Sequence, residues 1–323
     1  MHVLVTGGAG YIGSVIAARL LARGHAVTVY DDLSRGHRAA VPAGASLAEG
    51  DIRDGPRLQK ALLVGRCDAI VHMAALAEVG ESVAQPERYH DVNVNGTAAV
   101  IAAATAAAVG RLVFSSTAAV YGEPRRVPID EDDELAPTNP YGATKLAGER
   151  LLEQARDAGE LAFTALRYFN ACGADGPSGE DHDPESHLIP LALAAARDGA
   201  ALRVFGSDYP TPDGTCVRDY VHVADLSDAH VLAVEALPEV QGAFNLGTGR
   251  GDSVTCVLDA VSRIAGRELR REAVGRRGGD PPALVASGRR AAARLDWHPR
   301  RSLDDAVRDA WTWMQAHPQG YAD

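Results

Sequence analysis

Val3-Leu4-Val5-Thr6-Gly7-Gly8-Ala9-Gly10-Tyr11-Ile12-Gly13 lies at the head of the chain, and its reading decides the fold. Residues 2–6 form an apolar run of strand length, and the stretch from Ser14 to Arg23 reads as a helix. Between them the glycines fall at 7, 10 and 13. Gly7 and Gly10 permit a tight turn and close approach of the backbone to a diphosphate, while Gly13 lets the helix pack against the strand. The helix N-terminus then offers that diphosphate free amides and a favourable dipole. A glycine triplet placed directly after a first strand points to a dinucleotide.

The next strand, Ala26 to Tyr30, ends in Asp31-Asp32. An acid about twenty residues past the glycines suits ribose hydroxyls and repels a 2′-phosphate, so NAD is expected over NADP. Arg35 and Arg38 weigh against that preference, and a strand-end cap is the competing reading of Asp31. Leu47 to Glu49 is a third strand, and Asp51 just beyond it could meet an adenine edge. Ala69 to Met73 is a fourth, followed by Ala74-Ala75, small enough for the chain to pass a flat ligand. Arg111 to Phe114 is a fifth, closed by Ser115-Ser116-Thr117. Helices are expected near 55–64, 86–108 and 140–157. Strands and helices in this alternation predict an α/β fold with a doubly wound parallel sheet whose ligands lie beyond the carboxyl ends of the strands. Residues 1–170 are read as the Rossmann domain, with about 217–248 returning to it, and 171–323 as mainly a smaller mixed α/β substrate domain.

Tyr141-Gly142-Ala143-Thr144-Lys145 supplies the chemistry. Residues four apart share a helix face. The lysine ammonium favours the phenolate and is expected to draw the tyrosine pKa down toward neutrality, which makes a general base. Pro140 suits a first helical turn. Thr117, Tyr141 and Lys145 are therefore expected to converge beside the nicotinamide.

The 323 residues, 46% hydrophobic, suffice for a large core, and the formal charge of 32 − 43 = −11 argues against general binding to nucleic acid or anionic membrane. Cys67, Cys172, Cys216 and Cys256 form no CxxC or zinc pattern and are read as reduced and cytoplasmic, in line with a strand that starts right after Met1 with no signal peptide. Ala98 to Val109 is too short to span a membrane and reads as a buried helix. Arginines gather at 270, 271, 276, 277, 289, 290 and 294, either as a solvated basic face or as a pocket for a small anion.

Further motifs accompany these: Val79-Gly80-Glu81-Ser82, Asn93-Val94-Asn95-Gly96-Thr97, Phe114 to Gly122, Leu166 to Asn170, His187-Leu188-Ile189-Pro190, Asp208 to Thr215, Arg218 to Val223, and Asn245-Leu246-Gly247. With them the whole chain resembles the extended short-chain dehydrogenase/reductase family and, within it, the UDP-glucose (UDP-galactose) 4-epimerases. The resemblance implies tightly held NAD recycled within each turnover, a UDP-sugar substrate and a homodimer through the helices near 86–108 and 140–157. Tyr141 would move the proton of the sugar 4-hydroxyl, Lys145 would keep it acidic and bind ribose, and Thr117 would bond the 4-oxygen. The cofactor would meet Gly7, Gly10, Tyr11, Ile12, Gly13, Asp31, Asp32, Leu33, Asp51, Ile52, Met73, Ala74, Ala75, Asn93, Ser115, Tyr141, Lys145 and Tyr168. The substrate would meet Thr117, Tyr141, Phe169, Asn170, His187, Leu188, Val204, Phe205, Arg218, Tyr220, Arg277, Asp280 and Leu284.

Ala118-Ala119 stand where related dehydratases carry an Asp-Glu pair, so elimination of water is not expected. Ala77 replaces a lysine of some members, and His187 an asparagine. His182 and His187 show no spacing to carboxylates that supports a metal, and none is expected. Leu284 is intermediate between a tyrosine that narrows the sugar pocket and a small residue that admits N-acetyl groups, which implies partial tolerance of UDP-N-acetyl sugars. Competing activities are epimerisation of another UDP sugar (uronate or pentose), net dehydrogenation with release of reduced cofactor, and binding without catalysis.

Overall fold

The computed structural model describes residues 1–278 and 280–322. Seven parallel strands form the central sheet in the order β11-β6-β5-β4-β1-β2-β3. They are β1 (His2–Thr6), β2 (Ala26–Asp31), β3 (Ser46–Glu49), β4 (Ala69–His72), β5 (Arg111–Thr117), β6 (Ala162–Tyr168) and, after a long excursion, β11 (Gly242–Leu246). Parallel strands buried on both faces read as continuous apolar runs, and Val3, Leu4, Val5, Leu112 and Val113 are fully buried. Helices cover both faces. The chief ones are α1 (Tyr11–Ala22), α2 (Gly55–Gly65), the short α3 (Val79–Ala84) and α4 (Pro86–His90), α5 (Gly96–Ala106), α6 (Pro140–Asp157), α7 (Leu188–Asp198) and α8 (Val223–Ala236).

The order reverses between β1 and β4, where the chain crosses from β3 to the far side of β1. Such a switch point leaves a crevice above the strand ends. Thr6 pairs with His72 across it. Gly7, at φ +66°, turns so close to the chain leaving β4 that a Cβ there would lie 2.6 Å from the Ala74 amide nitrogen. On the other flank Thr117 pairs with Tyr168 and Leu246 with Tyr168 in register.

The smaller part of the molecule is built from short pairings. β7 (Asn170–Cys172) pairs with β10 (Tyr220–His222), and β8 (Ala201–Phe205) with β13 (Arg270–Val274). β9 (Val217–Arg218) lies between β12 (Asp252–Ser253) and β14 (Ala283–Leu284). Around α7 and α9 (Val254–Ala265) a second core gathers Leu193, Leu202, Val204, Leu258 and Val307. The chain closes with α10 (Arg289–Leu295) and α11 (Leu303–Ala316), the latter opened by a reciprocal capping box of Ser302 and Asp305.

Three local expectations are corrected. The helix expected over 86–108 is α4, a π-turn over Asp91–Asn95, and then α5. β5 continues through Ser115-Ser116-Thr117, because Ser116 and Thr117 pair with Arg167 and Tyr168. α1 starts at Tyr11, inside the glycine turn, instead of at Ser14.

Candidate active site

The helix that carries Tyr141 and Lys145 is set against the sheet by two glycines and a cap. Asn139 caps α6 by accepting from the Gly142 amide at 2.9 Å, with Pro140 in the first turn. A Cβ at Gly142 would meet the Ala119 carbonyl oxygen at 2.5 Å, and one at Gly148 would meet the Phe114 ring at 2.8 Å. The helix therefore presses onto the end of β5, a proximity the sequence signals only as two unremarked glycines. Lys145 ends up buried, with its Nζ donating to the Ser115 carbonyl at 2.9 Å and lying 5.1 Å from the Phe114 ring centroid. Tyr141 is half-buried and shares a hydrogen bond with Thr117. Thr117, Tyr141 and Lys145 thus come together, from β5 and α6, at one spot above the sheet.

Their protonation differs from the expectation. Burial pushes the Tyr141 phenol up to about 12, with the Thr117 hydrogen bond opposing. Burial also pulls Lys145 down to about 7, opposed by Glu149. Desolvation outweighs any attraction that the i, i+4 spacing implies. His72 lies beneath, hydrogen bonded to Thr6 Oγ1 (2.7 Å) and Thr97 Oγ1 (3.1 Å) and held neutral, pushed to about 3 by burial and by Lys145.

The glycine turn has the form of an anion cradle. No side chain caps Gly10 at the start of α1, which leaves first-turn amides at Tyr11, Ile12 and Gly13 directed at the crevice. The Tyr11 hydroxyl donates to the Gly173 carbonyl at 2.6 Å. Asp31 is buried at the end of β2, where its two carboxylate oxygens accept from the amides of Ala9 (3.0 Å) and Leu33 (2.9 Å). It therefore caps the glycine turn, and burial raises its pKa. Asp32 accepts from the amide and hydroxyl of Ser34. Arg38 is paired with Glu49 at 2.6 Å, and Arg35 with Glu81 at 3.3 Å. A cavity of about 450 Å³ opens beside them, lined by Leu33, Gly36 and Arg38. Met73, Ala74 and Ala75 are half-exposed along the crevice. These features fit a dinucleotide with free ribose hydroxyls, a cradle for its diphosphate and small residues for a flat ring.

Four residues expected to meet the cofactor also have protein partners. Asn93 is buried, with its amide oxygen accepting from Leu76 N (2.8 Å) and its amide nitrogen donating to Leu76 O (3.0 Å) and Thr144 Oγ1 (3.0 Å). It ties the 76–78 loop to α6. The Asp51 carboxylate is bound by Arg53 at 2.5–3.1 Å, which lowers its pKa, while Ile52 packs against Gly96. The Tyr168 hydroxyl makes a very short hydrogen bond with Ser115.

On the other side of the crevice, pairing in the small sheets assembles residues far apart in sequence. Leu284 lies in register with Arg218. Arg218 donates to the carbonyls of Val217 and Pro281 (2.9 Å each) and is 3.4 Å from Asp280. Arg277 stacks over Phe205, 3.9 Å from the ring centroid, and Val204-Phe205 pair with Ala273-Val274. Tyr220 pairs with Asn170. Phe169 and Leu284 pack with Val120, Tyr121 and Leu146, which joins this wall to α6. Leu188 heads α7. Four more arginines of the cluster, Arg271, Arg276, Arg289 and Arg290, are paired on the surface with Asp259, Asp208, Asp130 and Asp132.

His187, assigned to the substrate, is held by Glu180 at 2.8 Å and Glu185 at 3.1 Å. Burial opposes its charge, yet these carboxylates lift it to about 11. The absence of carboxylate spacing around His182 and His187 is thereby corrected, because Glu180 and Glu185 close on both rings. All four cysteines are free thiols, and among the described residues no helix is long and apolar enough to cross a membrane.

Comparison with known proteins gives a consistent picture. Residues 3–247 match the family model described as the NAD dependent epimerase/dehydratase family. A UDP-glucose 4-epimerase of Streptomyces lividans is 50% identical over 324 residues, covering 99% of this chain and 98% of that one. The crystal structure of a UDP-glucose 4-epimerase from Brucella ovis in complex with NAD is 47% identical, with a TM-score of 0.93 over 97% of this chain and 98% of that one. A UDP-glucose 4-epimerase from Bifidobacterium longum in complex with NAD+ and UDP is 34% identical, with a TM-score of 0.94 over 99% and 100%.

Proposed function

The chain belongs to the NAD dependent epimerase/dehydratase family, and from that premise we propose that it is an isomerase interconverting UDP-galactose and UDP-glucose at C4 with NAD. The observation that carries the reading is the convergence of Thr117, Tyr141 and Lys145 beside the glycine turn, with Ala118 and Ala119 in place of acids next to them.

Bound NAD would supply a reversible hydride acceptor at C4 of the sugar. Gly7 to Gly13 would hold its diphosphate, and Asp31 would face its ribose. Tyr141 takes the proton of the 4-hydroxyl, and Thr117 bonds the same oxygen. Lys145, desolvated and half-charged near neutral pH, stabilises the phenolate that Tyr141 must become. Arg218 and Asp280 meet the uridine diphosphate together with Arg277 on its Phe205 shelf, while Asn170, Tyr220 and Leu188 line the wall between. A firmly held nucleotide and a loosely held sugar let the 4-keto intermediate turn and present its other face. Two alanines after Thr117 can neither give nor take a proton, so the ketone is re-reduced without losing water.

Leu284, beside Arg218 and packed toward Val120 and Leu146, sets the width of the sugar pocket. It leaves UDP-glucose and UDP-galactose preferred and admits UDP-N-acetyl sugars at a lower rate. The same reading includes a homodimer and a cytoplasmic location. Supporting the dimer, Asn95, Ala98, Ala102 and Thr105 form an exposed small-residue stripe along the start and length of α5. Supporting the location are four unpaired thiols.

Incubating the purified protein with UDP-galactose and no added cofactor tests the function. UDP-glucose should accumulate without release of NADH. Stoichiometric NADH release, or no conversion even after NAD is added, would overturn it.

A further inference from the structure

Residues 180–187 form a strap across the glycine turn. His182 meets the Tyr11 ring edge-on at 6.2 Å, Arg35 donates to the Asp183 carbonyl at 2.8 Å, and the Ser186 hydroxyl donates to Glu78 at 2.5 Å. Inside the strap, side chains from Glu180, His182, Glu185 and His187 turn toward one point, each with a donor atom within 4.8 Å of every other. The Glu180 carboxylate lies 2.8 Å from His187 Nδ1 and 3.3 Å from His182 Nδ1. The Glu185 carboxylate lies 3.1 Å from His187 Nδ1 and 3.8 Å from His182 Nδ1. Donors of a tetrahedral ion with bonds of ~2.0–2.1 Å stand ~3.3–3.4 Å apart, so these four separations bracket the edge of such a tetrahedron.

Two further observations point to a ligand at this point. His182 Nδ1 is shut off from solvent, its near neighbour being the Glu180 carboxylate at 3.3 Å, so the ring nitrogen is turned into the cluster. Glu185 is anchored, because its Oε1 accepts the amides of Ser186 and His187 at 2.7 Å each. Such outer support is what fixes a coordinating carboxylate in place. Charge balance also allows an ion. Two carboxylates opposite two imidazoles are neutralised as well by one doubly charged cation as by two ring protons.

We propose that Glu180, His182, Glu185 and His187 bind a divalent d-block ion of the zinc type, pinning the strap over the glycine turn. Two imidazole nitrogens with two carboxylates favour zinc, cobalt or nickel over magnesium or calcium, which prefer all-oxygen sets.

The test uses tag-free, full-length protein, stripped with a chelator and dialysed. Zn2+ is titrated in competition with a chromophoric zinc indicator, and Co2+ is titrated in parallel. One zinc per chain is expected, together with the strong visible absorption of four-coordinate Co2+, abolished by Zn2+ and unaffected by excess Mg2+. His182→Ala and Glu185→Gln should each weaken zinc binding by at least ~10-fold. Circular dichroism checks that the variants fold; if they do not, the Co2+ spectrum of the unmodified protein decides alone. A pale six-coordinate spectrum, sub-stoichiometric zinc or unchanged affinity in folded variants would overturn the site and leave the strap held by histidine–glutamate ion pairs.

Discussion

Lys145 and Glu149 lie one turn apart on α6, equally buried, and meet opposite treatment. Glu149 receives two bonds from Arg167 (Nε at 2.9 Å, Nη2 at 2.6 Å) and a short one from the Ser116 hydroxyl. Arg167 goes on to the Tyr121 hydroxyl at 2.9 Å, and that hydroxyl donates to Asn245 at 2.7 Å. This is a closed network in which each buried charge has its partners, and Arg167 is held well above its ordinary pKa despite burial. Lys145 has one carbonyl and a ring, and its pKa falls to about 7. Tyr141, with only Thr117 to bond, rises to about 12. Burial alone therefore makes no catalytic group. What distinguishes the upper turn is that burial goes uncompensated, so phenol and amine both favour their neutral forms.

Substitutions on the two turns should separate activity from stability. The largest expected effect is on turnover: Tyr141→Phe should lower kcat by ~10²–10⁴-fold with little change in Tm. Unchanged turnover would remove Tyr141 from the chemistry. Glu149→Ala should act in the opposite sense, costing ~3–5 kcal/mol in denaturant unfolding because it strands the Arg167 guanidinium. Lys145→Met, by contrast, should impair turnover without lowering stability, and near neutral pH should raise it, because it removes an amine whose charge is penalised by burial. If both variants lose stability alike, the contrast between the turns fails.

Smaller effects refine the upper turn and its wall. Leu284→Tyr should reduce turnover of UDP-N-acetylgalactosamine by ~10-fold or more relative to UDP-galactose, a steric discrimination of ~1–3 kcal/mol. Equal or faster N-acetyl turnover by the unmodified protein would refute the stated preference, and none at all would refute the tolerance. A separate effect, spread over several pH units, is on stability. Lys145 titrates near 7 when folded and near 10.5 when unfolded, so in that window the unfolded chain binds more protons. Stability should rise with pH from 7 toward 10, by at most ~1.4 kcal/mol per unit, relative to Lys145→Met. Tyr141 adds the reverse trend only above pH 10, as its folded pKa of about 12 exceeds the unfolded one.

Much of this was legible in the chain. Gly7, Gly10 and Gly13 between an apolar run and a helix determine the first βαβ unit, and the spacing of Tyr141 and Lys145 marks the base. Both are local patterns with a period. What stayed hidden depends on long-range pairing. No local signal places Leu284 beside Arg218 or Arg277 on Phe205, since strand register between distant segments creates both contacts. Asn93 is expected as a ligand contact by motif, and only the fold shows that its amide bonds Leu76 and Thr144. The Tyr141 shift runs opposite to what the spacing implies, because spacing reports a neighbour's charge and says nothing of desolvation. Glu180 and Glu185 were within reach, as carboxylates two residues from His182 and His187.

The claim that a proton leaves the 4-oxygen to Tyr141 while the hydrogen on C4 stays within the site is tested most directly with UDP-galactose deuterated at C4. The account predicts UDP-glucose that keeps its deuterium at C4, with none in the water. Loss of the label to solvent would contradict it.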